Sequence, residues 1–253
     1  LGTPASAALT ISDNDDMPTV AFDVADYSVD EDAGTALVVI SLDTPSGQPI
    51  MLDIASADGT AVDGADYVGV SKTITLTAGT INQAFAVTLN DDDSDEANET
   101  FTLTLSNADH AVIGDPDTTT ITILDNDEPP TVSFKVANYS VHEGAGEATV
   151  VVSVSVPSGL PITVDINSAD GTAVAGSDYT AVSQTITIDP GTLVQTFTVT
   201  LLDDGDTEDD ETFTLTMSNA TNATVGTTST TTVTIRDDDG TQYLYLPIIR
   251  RHP

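Results

Sequence analysis

Six carboxylates crowd into the nine residues Asp91-Asp92-Asp93-Ser94-Asp95-Glu96-Ala97-Asn98-Glu99, between the apolar runs FAVTL and FTLTL. Groups this close can hold a cation, divide one proton between a catalytic acid and base, or simply face water. Acid–base work needs a pocket that raises one carboxyl pKa, and Asp-rich loop tips do not offer one. His110, His142 and His252 lie on unrelated segments, and no Ser or Cys nucleophile stands in a recognisable elbow, so the chain does not read as an enzyme. A single acidic run is most often solvated surface, so the case for a cation depends on what else converges on it.

Charge favours the cation. Two unpaired carboxylates 4 Å apart repel by about 1 kcal/mol in water and about 4 kcal/mol at an effective dielectric near 20. The 253 residues hold 41 Asp and Glu against 5 Lys and Arg, a formal charge of −36, so basic side chains cannot neutralise the clusters. A divalent ion can, whereas nucleic acid and anionic membrane surfaces are poor partners for such a chain. With no cysteine present, a bound metal must be a hard, oxygen-seeking one. Calcium takes six to eight oxygens in flexible geometry and suits carboxylates from several loops better than magnesium, which prefers a tight octahedron. The spacing Asp91-x-Asp93-x-Asp95 starts like a calcium-binding helix–loop–helix. It fails at Glu96, where that motif needs Gly, and at Thr102, where it needs Glu.

The elements that must position these groups emerge from a repeat. PTVAFDVADYSVDEDAG from Pro18 returns as PTVSFKVANYSVHEGAG from Pro130, and SADGTAVDGADY from Ser56 returns as SADGTAVAGSDY from Ser168, both at an offset of 112. Residues 16–127 align without a gap on 128–239, with 66 identical positions, so the two units share one fold. LTISDND at 9–15 falls on ITILDND at 121–127, which makes residues 1–15 the last strand of a preceding, incomplete repeat.

In the first unit, seven β-branched or aromatic segments are bounded by Gly, Pro, Asp and Asn: 20–22, 36–42, 50–54, 73–76, 85–89, 101–105 and 120–124. The pattern predicts an all-β chain of tandem immunoglobulin-like antiparallel β-sandwiches of seven strands each. Alternation places Phe101, Leu103 and Leu105 in the core and Thr100, Thr102 and Thr104 outside. Tyr27, Tyr67, Tyr139 and Tyr179 occupy repeated framework positions and are expected to be packed.

In such a sandwich, the loops after strands one, three and five share an end with the exit from strand seven. Those are the places where acid collects: Glu31, Asp66, the Asp91–Glu99 loop and Asp125-Asn126-Asp127. In the second unit they are Glu143, Asp178, the Asp203–Glu211 loop and Asp237-Asp238-Asp239. Seven or more carboxylates are therefore expected at one tip of each unit.

At these residues the sequence resembles the Calx-β domain family, calcium-binding β-sandwiches of exchangers, integrins and bacterial surface proteins. The motifs that carry the resemblance are YSVDEDAG and YSVHEGAG, DGTAVDGADY and DGTAVAGSDY, DDDSDEANETFTLTLSN and DDGDTEDDETFTLTMSN, and the closing ILDND and IRDDD. The resemblance implies Ca2+ ligands at Glu31, Asp66, Asp91, Asp92, Glu96, Glu99, Asp125, Asn126 and Asp127. In the second unit it implies Glu143, Asp178, Asp203, Asp204, Glu208, Glu211, Asp237, Asp238 and Asp239. Asn126, where the family often has Asp, and Gly205, where the first unit has Asp93, each point to fewer ions held.

The expectation is then a calcium-binding structural module of a secreted, extracellular or cell-surface repeat protein, an adhesin-like stalk or fibre in which calcium stiffens domains and junctions. Its partners are calcium ions and neighbouring repeats or subunits. The alternatives are an adhesive ligand-binding module, or a filament subunit that donates its N-terminal strand to form a homopolymer. No run of 18 apolar residues suits a membrane span, and the opening lacks the charged-then-apolar pattern of a signal peptide, so the chain reads as a processed or excised piece. The tail at 240–253, GTQYLYLPIIRRHP, breaks the repeat and is the one apolar-plus-basic segment; packing, docking and sorting roles all suit it.

Overall fold

The computed structural model describes residues 8–10, 12 and 14–239. The expectations for the 240–253 tail lie outside the described residues. Contacts group the chain into two compact units. One holds the residues up to Asp92 together with Asn98–Asn126, and the other holds Asp93–Ala97 together with the residues from Asp127 on.

The first repeat has nine strands: β1 (Thr19–Phe22), β2 (Asp26–Asp30), β3 (Thr35–Leu42), β4 (Ile50–Asp58), β5 (Ser71–Leu76), β6 (Asn82–Thr88), β7 (Glu99–Asp109), β8 (Val112–Ile113) and β9 (Thr118–Leu124). They form a four-stranded sheet, β6-β3-β1-β8, and a five-stranded sheet, β2-β9-β7-β4-β5. The alternation works as expected: Ala36, Val38, Ile40 and Leu42 of β3, Ile50, Leu52 and Ile54 of β4, and Phe101, Leu103 and Leu105 of β7 are all buried. Burying one such large side chain is worth about 1.5–3 kcal/mol.

The second repeat copies this with β10 (Thr131–Phe134), β11 (Asn138–His142), β12 (Glu147–Val154), β13 (Ile162–Asp170), β14 (Ser183–Ile188), β15 (Val194–Thr200), β16 (Glu211–Thr221), β17 (Thr224–Val225) and β18 (Thr230–Arg236). Its sheets run β15-β12-β10-β17 and β11-β18-β16-β13-β14. Among the described residues the helices are two 3-10 turns, Glu31–Ala33 and Glu143–Ala145.

Two features depart from the expectation of seven antiparallel strands. After β1 the chain leaves the four-stranded sheet and joins the other as β2, which runs parallel to β9 from Asp26↔Thr120 to Asp30↔Leu124. The two-residue β8 pairs parallel with β1. The sheets are therefore mixed. β2 escapes an apolar-run search because Asp26, Ser28 and Asp30 are exposed and only Tyr27 and Val29 turn inward.

The tyrosines are framework residues, as expected. Tyr67 and Tyr179 are buried and stack on Phe101 and Phe213 with ring centroids 4.0 Å apart. The Tyr27 hydroxyl accepts a hydrogen bond from the Val39 N–H at 2.9 Å, and Tyr139 does the same with Val151, tying the five-stranded sheet to the four-stranded one. Residues 8–10, 12, 14 and 15 carry no strand, and Leu9 is exposed. The slot that this segment's sequence matches is filled within each repeat, by β9 between β2 and β7 and by β18 between β11 and β16. Neither sheet leaves that slot open to a donated strand.

Candidate metal centre

Three loops and a strand exit carry the acidic residues, and local chemistry fixes each. Glu31 and Glu143 open the 3-10 turns that follow β2 and β11. These turns end on Gly34 and Gly146 at φ of 70° and 72°, a left-handed conformation that glycine adopts without strain. The Leu89 N–H donates to the Gly34 carbonyl at 3.1 Å, which ties this turn to the start of the Asp91–Glu99 loop.

Asp66 sits in a tight turn in which its own Oδ2 accepts the Val62 N–H at 2.6 Å. Next to it, the buried Tyr67 donates its hydroxyl proton to Asp58 Oδ1 at 2.7 Å. Asn90 holds the far side, its N–H on the Asp66 carbonyl at 3.0 Å and its Nδ2 on the Ala65 carbonyl at 2.8 Å. Asp178 and Tyr179 repeat the arrangement, with Val174 N–H on Asp178 at 2.6 Å and Tyr179 on Asp170 at 2.7 Å. The DGTA segment ahead of this turn passes so close to β7 that a Cβ on Gly59 would lie 2.4 Å from the Thr100 carbonyl oxygen, so only glycine fits.

Glu99 and Glu211 begin β7 and β16 and pair with Ile123 and Ile235, two residues before Asp125 and Asp237. Strand register thus brings the end of the acidic loop to the exit of the last strand. Asn98, which the sequence reading did not single out, accepts the Asp125 N–H on its Oδ1 at 3.1 Å and helps set that exit.

The result, among the described residues, is four groups of carboxylates, two per repeat. Glu31, Asp125 and Asp127 form one, and Asp66, Glu96 and Glu99 another; in the second repeat Glu143, Asp203 and Asp239 form one, and Asp178, Glu208 and Glu211 another. Within each group one oxygen per residue lies within 4.8 Å of the others. Two oxygens on one calcium, each at up to 2.6 Å, can stand no more than about 5 Å apart, so this spacing fits a shared ion.

Asp91, Asp92, Asn126, Asp204, Asp237 and Asp238 lie in the same loops without belonging to these groups of three. Some of them are occupied with their own backbone. Asp204 Oδ1 accepts the N–H groups of Gly205 at 2.6 Å and Asp206 at 2.8 Å, Asp238 Oδ1 that of Gly144 at 3.4 Å, and Asp237 Oδ1 that of Asp239 at 3.4 Å.

Crowding shows in the proton affinities of the second repeat. Burial, the hydrogen bond with Asp178 and the neighbouring charges of Asp178, Glu208 and Glu143 push Glu211 up to about 7. Glu143, Glu208 and Asp239 are also raised, in each case first by burial and then by nearby carboxylates. Glu143 is 6% exposed, and its Oε1 is buried with no hydrogen-bond partner among the described residues. A buried carboxylate oxygen without a donor is costly unless a proton or a cation meets it. Donor type, spacing and this orphaned oxygen all fit a hard divalent ion.

A family model for the Calx-beta domain matches the chain twice, over residues 13–127 and 125–239. Extracellular matrix protein 3 of Lytechinus variegatus is 31% identical over 255 residues, covering 94% of this chain and 8% of its own length. Sodium/calcium exchanger 1 of Canis lupus familiaris is 28% identical over 225 residues, covering 81% of this chain and 23% of its own length. The chain therefore spans less than a quarter of either relative. Among solved structures, the apo-form Calx CBD1 domain is 28% identical, matching 44% of this chain and all of that one with a TM-score of 0.42.

Proposed function

The chain belongs to the Calx-beta domain family, and from that premise we propose that each repeat binds calcium at its acidic loop end, as a structural module of an extracellular or cell-surface repeat protein. The observation that carries this reading is the doubled constellation, two groups of three carboxylates per repeat with oxygens within 4.8 Å, recurring 112 residues apart at five of the six positions, with Asp203 where the offset would place Asp237. Glu31, Asp125 and Asp127 hold one ion and Asp66, Glu96 and Glu99 a second, with Asp91, Asp92 and Asn126 in the same loops. Glu143, Asp203 and Asp239, and Asp178, Glu208 and Glu211, serve the second repeat, with Asp204, Asp237 and Asp238 beside them.

Bound calcium supplies the positive charge that offsets the carboxylate repulsion. The chain's own residues hold the oxygens in place through strand register, the 3-10 turns and the tyrosine anchors. At free calcium 100 times the dissociation constant, each site adds about 2.7 kcal/mol, a large share of a domain's usual margin. Asp125–Asp127 directly precedes Glu128-Pro129-Pro130 in the chain. A cation there also stiffens the residues that lead into the second repeat, since proline already restricts them.

Calcium titration by calorimetry on the wild type and on Glu31→Ala/Glu99→Ala, one residue from each first-repeat group, tests the reading. The variant is expected to lose first-repeat binding and keep that of the second repeat. Equal binding by both proteins removes the ligand assignment, and a melting temperature that ignores chelator removes the structural role.

A further inference from the structure

An aspartate followed by glycine can close a ring on itself, because glycine has no side chain to shield its amide nitrogen from the preceding carboxyl carbon. Four such pairs lie among the described residues: Asp58-Gly59, Asp63-Gly64, Asp170-Gly171 and Asp204-Gly205.

Three of them are held apart. Asp58 Oδ1 accepts the Tyr67 hydroxyl at 2.7 Å and the Asp63 N–H at 3.0 Å, and Gly59 packs against the Thr100 carbonyl. Asp170 Oδ1 accepts the Tyr179 hydroxyl at 2.7 Å and the Ala175 N–H at 2.9 Å, and Gly171 packs against the Thr212 carbonyl. Asp63 Oδ1 accepts the Gly69 N–H at 2.6 Å, while the Gly64 N–H donates to the Tyr67 carbonyl at 2.8 Å. Each of these carboxyls is turned to a partner other than its own next amide.

Asp204-Gly205 is arranged the other way. Asp204 Oδ1 accepts the N–H of Gly205 itself at 2.6 Å, and that of Asp206 at 2.8 Å. The side chain folds back over its own main chain, which sets Cγ beside the Gly205 nitrogen. Residues 203–210 are exposed and carry no strand, and nothing lies within 4 Å of a Cβ built on Gly205, so the loop can adjust as a ring closes. The first repeat has Asp93 at this place, also exposed, and its side chain shields the amide that follows Asp92.

We propose that Asp204-Gly205 is a site of spontaneous covalent modification, in which aspartate converts to isoaspartate through a succinimide. The Gly205 nitrogen gives up its proton and adds to Asp204 Cγ. That carbon–nitrogen bond forms, one Cγ–O bond breaks, and the oxygen leaves as water with the amide proton and the carboxyl proton. Solvent water then adds to either ring carbonyl. Opening at Cγ restores aspartate; opening at the main-chain carbonyl leaves the chain running through Cγ, as isoaspartate. Nothing is oxidised or reduced, and the reaction needs neither cofactor nor calcium. The product lengthens the main chain of the loop by one carbon and moves the carboxylate that follows Asp203.

The test keeps the whole chain folded in chelator at neutral pH in oxygen-18 water, then reads chymotryptic peptides by mass and by electron-transfer fragmentation. Each passage through the ring fixes one solvent oxygen in the residue, whichever isomer results. Label and isoaspartate are expected to accumulate at Asp204 ahead of Asp58, Asp63 and Asp170. In urea all four are expected to react alike, because the fold alone holds the other three back. Gly205→Asp, which installs the first repeat's residue, is expected to bring Asp204 down to the level of the other three. Its melting temperature is expected to stay unchanged, since Gly205 stands in open space outside the left-handed region. The proposal is overturned by an unlabelled Asp204, by equal label at Asp58, Asp63 or Asp170 in the folded chain, by a lead for Asp204 that persists in urea, or by a Gly205→Asp variant that labels as fast as the wild type.

Discussion

Protons and calcium compete for the same oxygens in the second repeat, and Glu211 sets the size of the effect. Its carboxyl is pushed up to about 7 by burial, by the hydrogen bond with Asp178 and by the charges around it. Calcium needs the deprotonated form. With a pKa of about 7 the charged fraction is about 0.91 at pH 8, about 0.5 at pH 7 and about 0.09 at pH 6, so apparent affinity at this site drops about tenfold from pH 8 to pH 6. A glutamate at the ordinary 4.5 would still be about 97% charged at pH 6 and would show almost no change. The raised values of Glu143, Glu208 and Asp239 act in the same direction.

The assay is calorimetry at the three pH values in two buffers of different protonation enthalpy, in the Glu31→Ala/Glu99→Ala background so that the second repeat is read. About half a proton is expected to leave Glu211 per ion bound at pH 7. Affinity that stays flat from pH 6 to 8, with heats independent of buffer, refutes the reasoning.

The same group links pH to stability. Its folded value lies above its unfolded 4.5, so the calcium-free fold carries stability below pH 4.5 that is lost as pH rises through about 7. The calcium-free second repeat is therefore expected to melt lower at pH 8 than at pH 5, and saturating calcium to reverse that order; a scan in chelator and in calcium checks both.

Three further outcomes follow from the packing. Gly59→Val drives a side chain into the Thr100 carbonyl, 2.4 Å from the Cβ position, and is expected to cost about 1–3 kcal/mol in urea unfolding. Its counterpart Gly171→Val meets the Thr212 carbonyl at the same 2.4 Å and is expected to behave alike. Tyr67→Phe removes the 2.7 Å bond to Asp58 while keeping the stack on Phe101, for an expected loss of about 0.5–1.5 kcal/mol and weaker calcium binding beside Asp66.

The fold and the site were legible to different depths. The seven principal strands stand out because each is buried on one face and exposed on the other, which writes a two-residue period into the chain. β2 and β8 were not legible, one because its outward residues are exposed acids and Ser, the other because two residues carry no period. The acidic positions were legible because an exact offset of 112 repeats them, and repetition separates a site from a chance run of charge. Asn98 carried no such mark: its role depends on a single hydrogen bond to Asp125, across a loop.

By itself, then, the amino-acid sequence determined the repeat, the sheet-forming segments, the donor chemistry and which loops carry it, since these follow from residue type and period along one dimension. Tertiary structure alone decided how the carboxylates are partitioned. It set Glu31 with Asp125 and Asp127 rather than with Asp66, brought Glu211 against Asp178, and buried one Glu143 oxygen without a donor. Those outcomes depend on distances between residues far apart in the chain, which register and packing fix and which no local pattern encodes.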